Sequence, residues 1–183
     1  MPLEAGCALV RERGALREAF SFRPPYYHYT VGGDEVMHYH EYGPQNSRGF
    51  RALKVWLALQ RAGRAGYRAM IADNLRLARV MAAALAAHPE IEVATQSLSI
   101  TTFRYVPKGL DPDSDGERLN ALNSELLSRV QKGGEAFLSN AVIEGRFYLR
   151  ACITNFRTRE ADVRALPELV ARMGREVERD EIA

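Results

Sequence analysis

Apolar residues recur at helical spacing in four stretches of this chain and alternate in others. Leu53, Trp56, Leu57 and Gln60 fall at i, i+3, i+4 and i+7, which predicts a helix starting near Phe50 and punctuated by Gly63 and Gly66. A second helix carries Tyr67, Met70, Ile71, Ala78, Met81, Ala82 and Leu85 on one face. It stops before His88-Pro89, because the residue ahead of a proline avoids helical geometry. Leu119, Leu122, Leu126 and Val130 form a third stripe, opened by the capping-box pattern Ser114-x-x-Glu117 and closed by Gly133-Gly134. The fourth has Val163, Leu166, Val170, Met173 and Val177 on its buried face, Thr158 as N-cap, and Glu160 and Asp162 in its first turn. Pro167 is expected to kink or split that helix, and the tail from Arg179 to fray.

Residues 7–13 predict a short apolar strand, and residues 14–20 a helical turn. Ile91–Val93 is a brief strand and Leu98–Val106 a longer one rich in Thr, Ile, Phe and Tyr. Phe137–Ile143 and Arg146–Ile153 form a hairpin around Glu144-Gly145. Its second arm carries Phe147, Leu149, Ala151 and Ile153 on one face and Arg146, Tyr148, Arg150 and Cys152 on the other. From Ser21 to Gly49 no period is sustained: Pro24-Pro25 forbids helix and sheet interiors, and Gly32-Gly33-Asp34 loosens the chain. A stretch this long without structure is a functional or mobile loop. Two helices, strands, a helix, a hairpin and a helix make an α+β layer with mainly antiparallel strands and helices on one face.

Composition narrows the function classes. A chain of 183 residues buries one sizeable core, and 46% hydrophobic with 26% charged residues is that of an ordinary globular protein. No apolar run reaches the ~20 residues that cross a bilayer, and the first residues do not form a signal peptide, so a cytoplasmic location is expected. Arginine far outnumbers lysine, which occurs only at Lys54, Lys108 and Lys132, yet the net charge is only +2. The arginines are interleaved with carboxylates and form no basic block, which argues against nucleic acid. Cys7 and Cys152 lack metal-ligand spacing and read as reduced, buried thiols. His38-x-His40 lacks a nearby third ligand, so no metal site is assigned.

The segment Tyr42-Gly43-Pro44-Gln45-Asn46-Ser47-Arg48-Gly49-Phe50-Arg51-Ala52-Leu53-Lys54-Val55-Trp56 runs a turn-rich polar loop into an amphipathic helix. It resembles the loop-to-helix junction of the aromatic-amino-acid decarboxylases, the group II branch of the pyridoxal-phosphate (PLP) enzymes. The opening Pro-Leu-Glu-Ala-Gly-Cys-Ala-Leu-Val is similar to the strand after that family's His-Lys-Trp segment, and Phe20-Ser21-Phe22-Arg23-Pro24-Pro25-Tyr26 to its mobile catalytic loop. The resemblance implies the C-terminal part of a fold-type I enzyme. Residues 1–49 would be a large-domain remnant with the catalytic and interface loops, and residues 50–183 the small domain with its connecting helix. The lysine that carries the cofactor would fall just before Met1, and none of the three lysines present stands in such a context.

By the same resemblance Tyr26 is the catalytic residue, delivering a proton to Cα after carbon dioxide leaves. A phenol is neutral at pH 7 and suits that task. Tyrosine rather than phenylalanine there implies decarboxylation and not oxidative deamination. Ser47, and next to it Asn46, reach the neighbouring subunit's cofactor phosphate; read as residues alone, Ser47 is equally an N-cap for the helix behind it. Arg150 and His28 are weaker candidates for the substrate. Arg150 is more simply a structural hydrogen-bond or ion-pair residue, since a firm clamp on a carboxylate that must leave would oppose the reaction. The expected partners are an amino-acid substrate, aromatic by default, and a second subunit of a homodimer, with no membrane and no nucleic acid. The other account is a truncated, catalytically inactive domain that serves association only, because the anchoring lysine is not in the chain.

Overall fold

A four-stranded antiparallel sheet in the order β1-β2-β4-β3 organises the second part of the chain. It comprises β1 (Ile91–Ser97), β2 (Ile100–Tyr105), β3 (Ser139–Ile143) and β4 (Arg146–Cys152). The computed structural model describes residues 4–22, 24–26 and 37–182. The chain divides into two compact units, Met1–Arg64 and Ala65–Ala183.

In the second unit one sheet face carries the core. Phe103, Tyr105, Leu149, Ala151 and Ile153 meet Leu77, Ala78, Met81 and Leu85 from the C-terminal half of α2 (Arg51–Ala86). Leu122, Leu126 and Val130 of α3 (Gly116–Gly133) join them, as do Val163, Val170 and Val177 of α4 (Glu160–Ile182). The helices lie on one face of an antiparallel sheet, the α+β arrangement expected. Turn chemistry sets the register of both hairpins. Glu144 and Gly145 both have positive φ (50° and 76°), the two-residue turn that matches strand twist. At the β1–β2 tip Leu98 is left-handed (φ 51°) and 74% exposed. Ile91 pairs with Tyr105 and Ser97 with Ile100, so the brief strand expected at residues 91–93 is longer and is the partner of β2.

Tyr105 is the hinge of the packing. Asn123 of α3 bridges its backbone: Tyr105 N–H donates to Asn123 Oδ1 (2.8 Å) and Asn123 Nδ2 donates to Tyr105 O (2.9 Å). Gly174 of α4 lies against its ring; a Cβ there would be 2.5 Å from Tyr105 Cδ1. Its hydroxyl is 2.8 Å from Glu178 Oε2 and 3.2 Å from Glu90 Oε1, and Arg175 donates to Glu90 Oε2 (2.7 Å). Burial first, then the Glu178 carboxylate, push the phenol's pKa upward.

The first unit is built differently. It holds α1 (Ala15–Phe20), a 3₁₀ turn (Tyr39–Tyr42) and the N-terminal half of α2. Glu41 is its one buried residue among those described, and Arg17 Nε donates to Glu41 Oε2 (2.9 Å). Every buried apolar side chain in the described residues stands at Leu77 or beyond.

Several expectations are corrected. Residues 7–13 form no strand; Leu9 is 94% exposed, and among the described residues no strand of the first unit is there to take the backbone groups. Gly63 breaks α2 (φ 64°, ψ 174°) but Gly66 does not, since a glycine weakens a helix without having to leave it. Ser114 does not cap α3: its hydroxyl donates to Asp111 Oδ1 (3.2 Å), which also accepts the N–H groups of Asp113 and Ser114. Arg159 takes the N-cap place expected of Thr158, with its N–H donating to Asp162 Oδ2 (2.8 Å). Helix α4 runs on through Pro167, where the buried face on both sides outweighs one forfeited backbone bond. The two thiols are free as expected, but both are exposed.

Candidate active site

Two ion pairs brace the loops of the first unit. Arg17 reaches Glu41, and Arg51 at the start of α2 donates through Nε (3.1 Å) and Nη2 (2.9 Å) to Glu4 Oε1. Between these braces runs Gly43–Gly49. Asn46 and Ser47 lie there in a bend, both exposed. The Ser47 side chain makes no hydrogen bond among the described residues, so it is not the N-cap of α2. Arg48 folds back so that a Cβ added at Gly43 would meet its Nη1 at 3.3 Å. Beside the helix start, Glu4, Gly49, Phe50, Arg51, Leu53, Lys54 and Leu57 line an open hollow of about 390 Å³. Tyr26 occupies a turn and is 75% exposed. His28 lies outside the described residues.

Arg150 belongs to the second unit, on the sheet face away from the helices. Its Nη1 donates to Ser139 Oγ (3.3 Å), whose hydroxyl lies 3.3 Å from Arg150 O, a cross-strand pair within the hairpin. Among the described residues no carboxylate pairs with it. The His38 and His40 rings are tilted at 45° to each other with centroids 5.7 Å apart, and the described residues include no cluster of three or more metal-ligating side chains.

A polar row on that same sheet face escaped sequence reading. Arg104, fully buried, donates from Nε (3.0 Å) and Nη2 (2.7 Å) to Glu92 Oε2 and lies 5.3 Å over the Tyr148 ring. Tyr148 donates to Glu92 Oε1 (3.3 Å), and Arg104 Nη2 reaches the Pro112 carbonyl (3.4 Å). The available signal was alternation: Glu92, Arg104 and Tyr148 each sit out of phase with the apolar face of their strands.

The pyridoxal-dependent decarboxylase conserved domain matches residues 1–106. This chain belongs to the pyridoxal-dependent decarboxylase family. An aromatic-L-amino-acid decarboxylase of Bacillus atrophaeus is 33% identical over 159 residues, 86% of this chain and 32% of that protein. Tyrosine decarboxylase 2 of Arabidopsis thaliana is 33% identical over 156 residues, 84% of this chain and 28% of its own length. The Oryza sativa TDC structure with PLP and tryptamine superposes with a TM-score of 0.77 at 25% identity, covering 91% of this chain and 34% of that one. The mouse CSAD structure, at 18% identity and TM-score 0.79, shares the fold. The chain spans about a third of the length of the curated relatives it matches.

The loop suits the family's cofactor, PLP. An uncommitted Ser47 hydroxyl, the Arg48 guanidinium and the positive end of a helix are a donor set for a phosphate. A phenol as exposed as Tyr26 is open to a partner surface.

Proposed function

We propose that this chain is the C-terminal portion of a PLP-dependent amino-acid decarboxylase acting on aromatic L-amino acids, working in the cytoplasm as part of a homodimer. Residues 1–49 serve as the remnant of the large domain and residues 50–183 as the small domain. One observation carries the reading: a family match over residues 1–106 coincides with a first unit whose Tyr26 and Ser47 both face outward. PLP, when bound, supplies an electron sink for the carbanion left by loss of carbon dioxide. Ser47, Asn46 and Arg48 hold the phosphate and so orient the ring. Tyr26 holds the proton that Cα receives, and its loop keeps water from the reacting carbon. Arg150 stays with Ser139 and stiffens the hairpin. The covalent lysine comes from outside this chain, since Lys54, Lys108 and Lys132 lie in segments unlike the family's lysine motif.

The test is complementation. The chain is coexpressed with the Bacillus atrophaeus aromatic-L-amino-acid decarboxylase truncated to the part that this chain does not span. Carbon dioxide release from an aromatic L-amino acid above that of either piece alone is expected. Tyr26→Phe should cut it by about 10²–10⁴-fold, the range for a lost general acid. Release from neither mixture nor pieces, with both pieces folded, overturns the reading and leaves a domain that serves association only.

A further inference from the structure

We infer that the Arg17–Glu41 ion pair is a positioning device that sets the loop carrying Tyr26 against the loop carrying Ser47; the inference rests on the roles proposed for those two residues. Arg17 stands in α1, whose last residue, Phe20, opens the segment Phe20–Tyr26. Glu41 stands in the 3₁₀ turn Tyr39–Tyr42, and Gly43–Gly49 follows it directly. The chain runs from one loop towards the other through residues 27–36, which lie outside the described residues. In space the link is shorter: α1 packs on the 3₁₀ turn, and Arg17 Nε donates to Glu41 Oε2 at 2.9 Å.

Burial separates this pair from the other brace of the unit. The Glu41 side chain is 2% exposed, against 73% for Glu4, which Arg51 holds. That burial comes from this chain's own residues, and further polypeptide can only deepen it. An ion pair in water contributes little, whereas a buried carboxylate that loses its guanidinium must find another partner or leave the interior. The pair is therefore either made or broken, with no graded range between. Each charged residue also belongs to the frame of its own element: Ser21 N–H donates to Arg17 O (2.8 Å), and Glu41 N–H to His38 O (3.0 Å). The arms that leave the pair are short and stiff. Pro24-Pro25 fix two φ angles between α1 and Tyr26, and Pro44 fixes one ahead of Ser47. Arg48 folds back on Gly43, which closes the second arm on itself. Moving Arg17 relative to Glu41 thus moves the proton source relative to the phosphate contact, and a displacement of about 1 Å costs roughly 10²-fold in rate.

Two arms test it. The first uses the full chain with its two exposed thiols removed, C7S/C152S, and spin labels at Phe22→Cys and Gln45→Cys, one exposed position in each loop. A narrow distribution of interspin distances is expected. R17A and E41Q should each broaden it, and R17K, which keeps the charge, should retain it. The second arm uses the complementing mixture with the truncated Bacillus atrophaeus decarboxylase. There R17A should lower kcat about 10²-fold with KM nearly unchanged. It should add nothing further once Tyr26 is already phenylalanine, because the pair acts through that phenol. A merely structural role would lower both backgrounds by the same factor. Interspin distances that R17A and E41Q leave unchanged, or a full additional loss in the Tyr26→Phe background, overturn the inference. A wild-type mixture that releases no carbon dioxide sinks the proposed activity instead, and the interspin distances still decide this inference.

Discussion

Tyr105 shows how much a single side chain organises. Its ring fills the space that Gly174 leaves, its backbone is clamped by Asn123, and its hydroxyl faces Glu178 and Glu90. One hydroxyl proton serves the shorter contact, at 2.8 Å to Glu178. The phenol's pKa is raised, so the folded state holds that proton more tightly than the unfolded chain, whose tyrosines titrate near ~10. This share of stability is whole below about pH 10 and is lost as pH rises beyond it. Urea midpoints followed into alkali should therefore fall more steeply for the wild type than for Tyr105→Phe. At neutral pH that variant should lose about 1 kcal/mol. Gly174→Ala should cost about 1–3 kcal/mol in the same titration, because the added methyl meets ring atoms of Tyr105 that Asn123 does not let move away. None of this was legible beforehand. Tyr105 read as one more strand residue and Gly174 as an ordinary helical position, because their importance comes from a contact between residues 69 apart in sequence.

Elements were legible wherever one periodic face met one buried surface. The stripes of α3 and α4 and the Glu144-Gly145 hairpin came directly from spacing and turn residues. The caps did not, because Asp111, Ser114, Asp162 and Thr158 are close rivals for the same few N–H groups and only the local geometry chooses. The N-terminal half of α2 gives the sharper lesson: a periodic stripe predicts a helix but not which side of it is covered. At the β1–β2 tip a leucine holds a left-handed conformation with its side chain in solvent. Leu98→Gly should therefore stabilise the second unit, by up to about 1 kcal/mol, seen as a higher thermal midpoint. No change or a loss would mean that Leu98 is covered in solution.

The whole molecule divides its labour unevenly: Ala65–Ala183 has a core, and Met1–Arg64 has surface, loops and the exposed candidates Tyr26 and Ser47. Trypsin should accordingly cut first at Arg61, Arg64 or Arg68, near the Gly63 break, and leave a resistant fragment that runs to the C-terminal helix. A ladder of products from both units at equal rates would contradict that division. Incubated alone with PLP and reduced with borohydride, the chain should yield no adduct confined to one lysine, whereas a single labelled site at Lys54, Lys108 or Lys132 would give it an anchor of its own. The family was legible in residues 20–56 because loop chemistry there is written in consecutive residues. The site itself was not, because Tyr26 and Ser47 are exposed loop residues whose surroundings no periodic pattern describes. That asymmetry also has a consequence during biosynthesis. Residues 4–64 leave the ribosome before any of the residues that build the core, and at roughly 5–20 residues per second they wait on the order of ten seconds for it. Among the described residues of that unit, Leu9, Phe20, Phe22, Phe50, Leu53, Trp56 and Leu57 are exposed. Coexpression with a chaperone or a mate for those side chains, more than a cooler culture, should then raise the soluble share of the expressed protein, read from the soluble and pelleted fractions of a lysate.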